Sequence, residues 1–439
     1  MKHIVVFGAG KSATVLIEFL KNLSIKRKWN ISIADGNYTQ TSAKIGVHAF
    51  VKAVELDIHD ELKRNELVQQ ASIVISLLPP QLHFLIAKTC LAFGKNLLTA
   101  SYIDEETKTL ASEIKEKKLL FLYEMGLDPG IDHMSAMQII DSIQHKGGKI
   151  TSFKSHCGGL VAKEFINNPW KYKISWNPRN IILAGKSGAI FLENQEEKKV
   201  DYSHLFNANN VVEMPNGESF SFYPNRDSLS YIETYHLQNI STFIRTTLRE
   251  KEFSLGWKNI VEFKLTEEEK VYETENLTIA DFYKKHLERF GFNNWKEEYF
   301  NQKFSKIEQE QFLFIGIENN ETIINKGLCS AADVLQFVLE EKLALAPNDK
   351  DMIIMLHEFE YELENQKHNL KSFLKVIGED NKKTAMAKTV GLPLGIAAEL
   401  ILDEKINETG LQIPIKKTIY EPVLQELKNH HIVFEEFKD

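Results

Sequence analysis

Gly8-x-Gly10-x-x-Ala13 follows the apolar run His3 to Phe7 and opens a helical pattern from Lys11 to Asn22. Between a strand and a helix, this spacing is a dinucleotide fingerprint in its proper context. Gly8 permits a tight turn. Gly10 lacks the Cβ that would block a pyrophosphate, and Ala13 allows close helix–strand contact. The helix N-terminus offers unpaired N–H groups and a favourable dipole to an anion. Asp35 ends the next strand, about 20 residues on, where a carboxylate accepts bonds from both ribose hydroxyls and repels a 2′-phosphate. Gly36 and Asn37 follow it with no arginine, so NAD is the expected cofactor and NADP the second choice. The competing reading is a plain strand–helix turn with a solvated aspartate.

Other residues have the chemistry of a site but a plainer alternative beside it. Glu124-Met-Gly-Leu-Asp128-Pro-Gly130-Ile-Asp132-His133 lies where a strand ends and a helix begins. Strand C-termini of open α/β sheets face the ligand crevice. Asp128-Pro129-Gly130 is also a good turn, and Asp132 suits a helix cap. Ser101-Tyr102 has the same ambiguity. Cys157 follows a strand, near His133 and His156 in sequence, but a lone cysteine is more often a small buried hydrophobe than a nucleophile. Arg226 stands in Tyr223-Pro-Asn-Arg-Asp227. Arg245 and Arg249 are four apart and share a face if their segment is helical. Arginines on an acidic chain are natural clamps for substrate carboxylates; a surface ion-pair pattern is the alternative.

These residues need a scaffold, and the first 125 or so residues supply strand–helix alternation. Ile31 to Ala34, Ala71 to Leu78, Asn96 to Ala100 and Leu119 to Tyr123 read as strands, with helical patterns between. The continuous apolar run Ala71 to Leu78 is typical of a parallel strand covered on both faces. The pattern predicts a doubly wound α/β domain. Beyond it, Ile131 to His145 reads as a helix, Ile150 to His156 as a strand and 158–180 as an ordered loop. From Leu237 to Ile315 the pattern is helical with no strand signal. Phe359, Tyr361 and Leu363 alternate with glutamates as a half-buried strand, paired near Ser372 to Ile377. Ala385 to Lys438 reads as helical with a break at Pro414.

Composition bounds the rest. The 439 residues are 43% hydrophobic and 26% charged, which fits a globular chain of two or three domains. The net charge of −8 argues against nucleic acid as a partner. Three scattered cysteines form neither a disulfide framework nor a metal-ligand pattern, so no metal is expected. They suit a reducing cytoplasm. The N-terminus has no signal-peptide pattern, and no stretch approaches the ~20 apolar residues that span a bilayer, so no membrane is expected.

The sequence resembles the glutamate-forming saccharopine dehydrogenase (saccharopine reductase) family over nearly its whole length. The resemblance rests on Ile75-Ser-Leu-Leu-Pro79, Thr99-Ala-Ser-Tyr102, Glu124 to His133, Cys157-Gly-Gly-Leu160, Tyr172-Lys-Ile-Ser-Trp176, Tyr223-Pro-Asn-Arg-Asp-Ser228, Thr247-Leu-Arg249 and Ala385-Met-Ala-Lys-Thr-Val-Gly-Leu-Pro393. It implies an α/β fold: a Rossmann domain (1–128 and 385–439), a mixed α/β substrate domain (129–236 and 330–384) and an inserted helical domain (237–329). It implies nicotinamide cofactor contacts at Gly8, Gly10, Lys11, Ser12, Ala13, Asp35, Asp57, Ser76, Ser101, Leu127, Asp128 and Trp176. Saccharopine contacts fall on Ser101, Tyr102, Asp128, Arg226, Thr247, Leu248 and Arg249, with Asp128 and Cys157 near the reacting carbon. The family's two prolines after Cys-Gly-Gly-Leu are Val161 and Lys163 here, and its glycine and tyrosine around Thr-Leu-Arg are Thr246 and Glu250. Its serine before Ala-Met-Ala is Thr384.

The implied reaction oxidises the secondary amine of saccharopine with NAD(P)+ and hydrolyses the imine to L-glutamate and 2-aminoadipate 6-semialdehyde, reversibly. Asp128 is the first candidate for the proton-handling group and His133 the second; Tyr102 orients the substrate. A carboxynorspermidine synthase-like imine reductase and a non-catalytic nucleotide-binding regulator are the alternative functions. The small-molecule substrate is the only partner expected besides a second copy in a homodimer.

Overall fold

A computed structural model describes residues 1–438 and divides the chain into two compact units. Unit 1 comprises Met1–Lys149 and Gly378–Glu435, and unit 2 comprises Ile150–Ile377 and Glu436–Asp439.

Unit 1 is built on a seven-stranded sheet. Its order is Gly410–Gln412, Leu120–Leu122, Asn96–Thr99, Ile73–Ser76, His3–Phe7, Asn30–Asp35, Val51–Glu55. Every pairing is parallel. The central strands are short and apolar because both faces are covered: Ile73–Ser76 is buried throughout. Strand order reverses beside His3–Phe7, and in such sheets the crevice at the reversal binds the ligand. Two strands were absent from the sequence pattern. Val51–Glu55 is an edge strand with only Val51 buried. Gly410–Gln412 is three residues long and lies in a segment read as helical; its pairing with Leu120–Leu122 makes it a strand.

The helix Ala385–Leu402 corrects another expectation: it is long and apolar enough to cross a membrane by length and composition, which no stretch was expected to be. It is 78% buried inside the protein, as a core helix is. Thr384 caps it, its Oγ1 accepting from Ala387 N. Gly391 and Gly395 let it approach the helix Thr14–Arg27, which carries the fingerprint turn at its start. A Cβ at Gly391 would lie 2.8 Å from Leu16 N, and one at Gly395 would lie 2.5 Å from Phe19 Cδ1. Arg27 closes the far end on Glu399 and Asp403 at 2.8 and 2.5 Å.

Unit 2 is built on a ten-stranded mixed sheet. The strand Thr242–Arg249 corrects the helical reading of this segment. It runs parallel to Ser152–Cys157 and antiparallel to Ser221–Pro224. Arg245 and Arg249 therefore stand on a strand, two side-chain repeats apart, and not one helical turn apart. The strand Lys149–Val161 also runs on into the stretch read as a loop. Asp351–Leu363 and Gln366–Ile377 form the hairpin foreshadowed by the alternation around Phe359, longer than the pattern suggested. Its two-residue turn, Glu364-Asn365, has both φ values positive, matching the twist of the flanking strands. Helices Lys251–Glu262, Ile279–Arg289, Lys306–Phe314 and Ala331–Lys342 pack around an aromatic core that includes Trp170, Trp257, Phe263 and Phe312.

Gly391→Val should destabilise the protein by about 1–3 kcal/mol, since the added side chain meets backbone that cannot rotate away. The check is the urea midpoint at unchanged m-value; a midpoint equal to wild type would mean the two helices do not touch at Leu16.

Candidate active site

In unit 1 the fingerprint turn sits at the strand reversal. Gly8 has φ of +101°, and a Cβ there would lie 2.8 Å from Leu77 O, so only glycine fits. Its N–H donates to Ala34 O at 2.9 Å. A Cβ at Gly10, by contrast, would meet nothing within 4 Å: the space over the turn is open, as pyrophosphate binding requires. Lys11, Ser12 and Ala13 form a 3-10 turn leading into the helix Thr14–Arg27. Asp35 Oδ2 accepts from Ala9 N at 2.7 Å and Oδ1 from Asn37 N at 2.8 Å. The Lys44 ammonium donates to Ala9 O and Gly10 O at 2.7 and 2.6 Å. Burial lowers the Lys44 pKa, and the Asp35 charge opposes that shift.

Beside the turn lies a cavity of about 440 Å³ lined by Asp35, Gly36, Leu56, Asp57, Leu78 and Leu82 among others. Its acidic rim and apolar walls suit an adenosine. Most of its walls were not candidates from sequence, because they depend on the edge strand Val51–Glu55 standing beside Asp35.

The next strand ends carry Ser76 and Ser101, which His83 joins. Ser76 Oγ lies 2.9 Å from His83 Nδ1, and Ser101 Oγ lies 2.7 Å from His83 Nε2. Glu124 N donates to Ser101 O at 3.0 Å, tying the loop 124–130 to that strand end. In that loop Gly130 has φ of +145°, and a Cβ on it would overlap Gly126. Leu127 is buried and Asp128 half-buried, as are Ser101 and Tyr102. His133 is fully buried, with Nε2 held 2.8 Å from Glu124 Oε2 and Nδ1 3.7 Å from Asp132 Oδ2. Asp132 Oδ1 accepts from Gly130 N at 2.6 Å. The geometry thus separates the two proton-handling candidates. Asp128 reaches solvent, while His133 is enclosed in a pair of carboxylates that hold the loop.

In unit 2, Cys157 is buried and thiol-bearing, and is the direct parallel partner of Thr247. Its neighbour His156 is spent on structure: Nδ1 lies 2.7 Å from Thr246 Oγ1 and Nε2 3.2 Å from Glu358 Oε2. Leu248 packs against Gly158, where a Cβ would come within 2.6 Å of Leu248 Cβ. Arg249 is 3% exposed. Its guanidinium lies 5.2, 5.8 and 5.3 Å from the rings of Tyr172, Tyr223 and Phe253. Nη1 donates to Leu248 O at 2.8 Å, but Nε has no hydrogen-bond partner and no carboxylate pairs with the group among the described residues. Ser221, directly opposite Arg249 on the next strand, also has a buried, unpartnered Oγ. A buried cation without a counter-charge and a buried hydroxyl without a partner are costly unless a ligand anion completes them.

Trp176 donates from Nε1 to Tyr172 OH at 3.3 Å, so it joins the ring set around Arg249. Arg226 does not. It is exposed, has φ of +52°, and pairs with Ala189 on a separate short strand. Arg245 stacks over Tyr231 at 4.5 Å. Sequence reasoning missed His83 and Ser221, which stand in none of the motifs; Tyr172 lay inside the motif that supplied Trp176, without a role of its own.

Residues 4–122 match the family model for the saccharopine dehydrogenase NADP binding domain, and residues 126–433 that for the saccharopine dehydrogenase C-terminal domain. The saccharopine dehydrogenase (NADP(+), L-glutamate-forming) of Schizosaccharomyces pombe is 30% identical over 465 residues, covering 99% of both chains. The alpha-aminoadipic semialdehyde synthase of Arabidopsis thaliana is 35% identical over 407 residues, which cover 87% of this chain. This chain spans 38% of that relative's length and 47% of its Mus musculus counterpart's. The structure of saccharopine dehydrogenase (L-Glu forming) from Saccharomyces cerevisiae matches with a TM-score of 0.87 at 28% identity, covering 100% of both chains.

These findings overturn the expectation of NAD as the preferred cofactor. The matching nucleotide domain is described as NADP binding, and the fungal relatives are named for NADP(+). The inference from Asp35 failed for a physical reason. It assumed an unpaired carboxylate that would repel a 2′-phosphate, whereas Asp35 accepts two backbone N–H groups and the Lys44 charge acts on it, which eases that repulsion. With its fold, its nucleotide domain and its full-length relatives in agreement, the chain belongs to the saccharopine dehydrogenase family of oxidoreductases.

Proposed function

We propose that this chain oxidises the secondary amine of saccharopine with NADP+ and releases L-glutamate and 2-aminoadipate 6-semialdehyde after water adds to the imine. The observation that carries this reading is Arg249. It is buried in three aromatic rings with an unpartnered Nε, beside an unpartnered Ser221 hydroxyl, and a substrate with three carboxylates supplies the missing anion. The S. pombe relative, covered end to end, supports it by its name.

The bound nicotinamide supplies the hydride acceptor. The chain's own residues have three tasks. Arg249 holds one substrate carboxylate in a dry cage, and Arg226, on its exposed strand, takes another. Ser101 and Tyr102 orient the amine so that the reacting carbon sits within transfer distance. Asp128 takes part in the proton transfers that keep the amine neutral and serve imine hydrolysis, sharing them with water and the substrate's own amines. Cys157, beside Thr247, positions substrate and forms no covalent bond, since hydride transfer needs no thioester. His133 holds the loop that carries Asp128. The direct test is the reduced-nicotinamide absorbance on mixing protein, saccharopine and NADP+; no absorbance rise with bound cofactor overturns the proposal.

Arg249→Lys should raise KM for saccharopine about 10-fold or more while leaving the NADP+ dissociation constant unchanged. The lysine keeps the charge but loses the planar stack and the forked donors. An unchanged KM removes Arg249 from the substrate site. Cys157→Ser should keep kcat within about 10-fold of wild type; complete inactivation with an intact fold, or a trapped adduct on sulfur, speaks for a covalent role.

Glu250, where the family has tyrosine, follows Arg249. Burial, reinforced by Glu252, pushes its carboxyl up to about 7. A carboxyl whose pKa rises on folding favours the folded state at low pH, and that stability drains away as pH climbs through the folded value. Glu250→Gln should therefore remove about 1–2 kcal/mol of the stability lost between pH 5 and 8. The measurement is denaturant unfolding across that range, and parallel pH curves for both proteins would refute it.

A further inference from the structure

The half-buried ammonium of Lys44 spends its hydrogen bonds on the backbone of the fingerprint turn. Nζ donates to Ala9 O at 2.7 Å and to Gly10 O at 2.6 Å. Lysine has donors only and a carbonyl accepts only, so the direction of both bonds is fixed. The helix Tyr38–Ile45 brings the ammonium there. Asn37 caps that helix, its Oδ1 accepting from Gln40 N at 3.0 Å, and Asn37 N is itself held by Asp35 Oδ1 at 2.8 Å. Asn37, Thr41 and Lys44 fall at i, i+4 and i+7 and so share one helix face, on which Thr41 is buried. The end of the second strand of the fingerprint unit therefore sets where the ammonium goes.

Those two bonds constrain more than two oxygens. The peptides Ala9–Gly10 and Gly10–Lys11 are trans. In a planar trans peptide the N–H points opposite to the C=O of the residue before it. Drawing the Ala9 and Gly10 carbonyls onto Lys44 therefore turns the N–H groups of Gly10 and Lys11 away from it. Neither N–H has a hydrogen-bond acceptor among the described residues. Gly10 is exposed, and the space where its Cβ would stand is open. Glycine by itself leaves the flanking peptide planes free to rotate. Here Ala9 is held at both its polar groups, N–H on Asp35 Oδ2 at 2.7 Å and C=O on Lys44, so rotation would break one of these bonds.

We infer that Lys44 is a positioning residue for the cofactor: it latches the peptide planes of the fingerprint turn so that the Gly10 and Lys11 N–H groups stand ready for the oxygens of a dinucleotide pyrophosphate. Donors set in advance cost a ligand less to engage than donors it must first align. Lys44 acts through the backbone, so its effect extends to a nucleotide without a 2′-phosphate. The inference rests on the cofactor half of the function proposed above and not on saccharopine.

The test is nucleotide binding to the full-length protein without substrate. NADPH is followed by its fluorescence. ADP-ribose, which keeps the pyrophosphate and lacks the 2′-phosphate, is followed by its displacement of NADPH. Lys44→Met should raise the Kd of ADP-ribose about 10-fold or more, the scale of spoiling a hydrogen bond to a charged group, and that of NADPH at least as much. The loss should persist from about 0.05 to 0.5 M salt, because oriented donors act at contact whereas a distant charge is screened. Lys44→Arg, which still offers donors to both carbonyls, should bring ADP-ribose back to within about 3-fold of wild type. Should Lys44→Met not fold, Lys44→Gln, too short to hold both carbonyls, replaces it with the same expectations. A loss confined to NADPH makes Lys44 a contact of the 2′-phosphate and overturns the latch, as does a loss that fades at high salt. Equal affinities of wild type and Lys44→Met overturn the latch alone; a wild type that binds neither nucleotide overturns the cofactor reading and the latch with it.

Discussion

A polar group taken out of water must find a partner, and this single requirement organises both units. Parallel strands that end in a crevice leave backbone groups to be answered. Here Gly8 N goes to Ala34 O, Leu77 N to Phe7 O and Met125 N to Thr99 O. The side chains at those strand ends follow the same rule. Asp35 answers Ala9 and Asn37, His83 answers Ser76 and Ser101, and Glu124 answers His133. The crevice is thus lined by groups whose directions are set before any ligand arrives, which is what lowers the cost of binding one.

Several buried atoms among the described residues break the rule, Ser254 Oγ, Trp257 Nε1 and Gln311 Oε1 among them, and Arg249 Nε is the one that belongs to a permanently charged group. In unit 2 the polar network running from buried His156 through Glu358 to the partly exposed Lys371 is closed: His156 and Lys371 reach Glu358 at 3.2 and 2.9 Å, and together they hold its carboxyl down at about 2 despite burial. A few residues along the same strands, Arg249 is not closed. Its three rings exclude water without supplying a counter-charge. That contrast between neighbours on one sheet is the physical ground on which the proposal for Arg249 stands.

Glycine and helix packing play the supporting part. The helix that begins at the fingerprint turn is clamped by Ala385–Leu402 through Gly391 and Gly395, so the turn sits on a rigid element. Rigid placement matters because a misplacement of about 1 Å at the reacting atoms costs roughly 100-fold in rate. The aromatic core of unit 2 serves the Arg249 cage in the same way: Phe253 stacks on Trp257 with rings 5.0 Å apart and nearly parallel, and Tyr172 packs on Phe253.

What the sequence determined by itself was everything with a local cause. The turn at Gly8 needs a positive φ, the helix after it has a 3.6-residue period, and runs such as Ile73–Ser76 are apolar because both faces are buried. These features are written within a dozen residues of each other, and the motifs around Glu124, Tyr172 and Tyr223 sufficed to mark the family. Tertiary structure decided the rest. Thr242–Arg249 is charged enough to pass for helix, and only its pairing with Ser152–Cys157 makes it a strand. Gly410–Gln412 is too short to have a period. Ala385–Leu402 is apolar all round because it is enclosed, which sequence cannot tell from a helix enclosed by lipid. Asp35 looked free to read a ribose, since nothing in its neighbours reveals that Ala9, 26 residues earlier, would claim one oxygen. His83 carried no signal, because its meaning lies in Ser76 and Ser101, which come within hydrogen-bonding reach of one ring only when three separate segments meet at the ends of adjacent parallel strands.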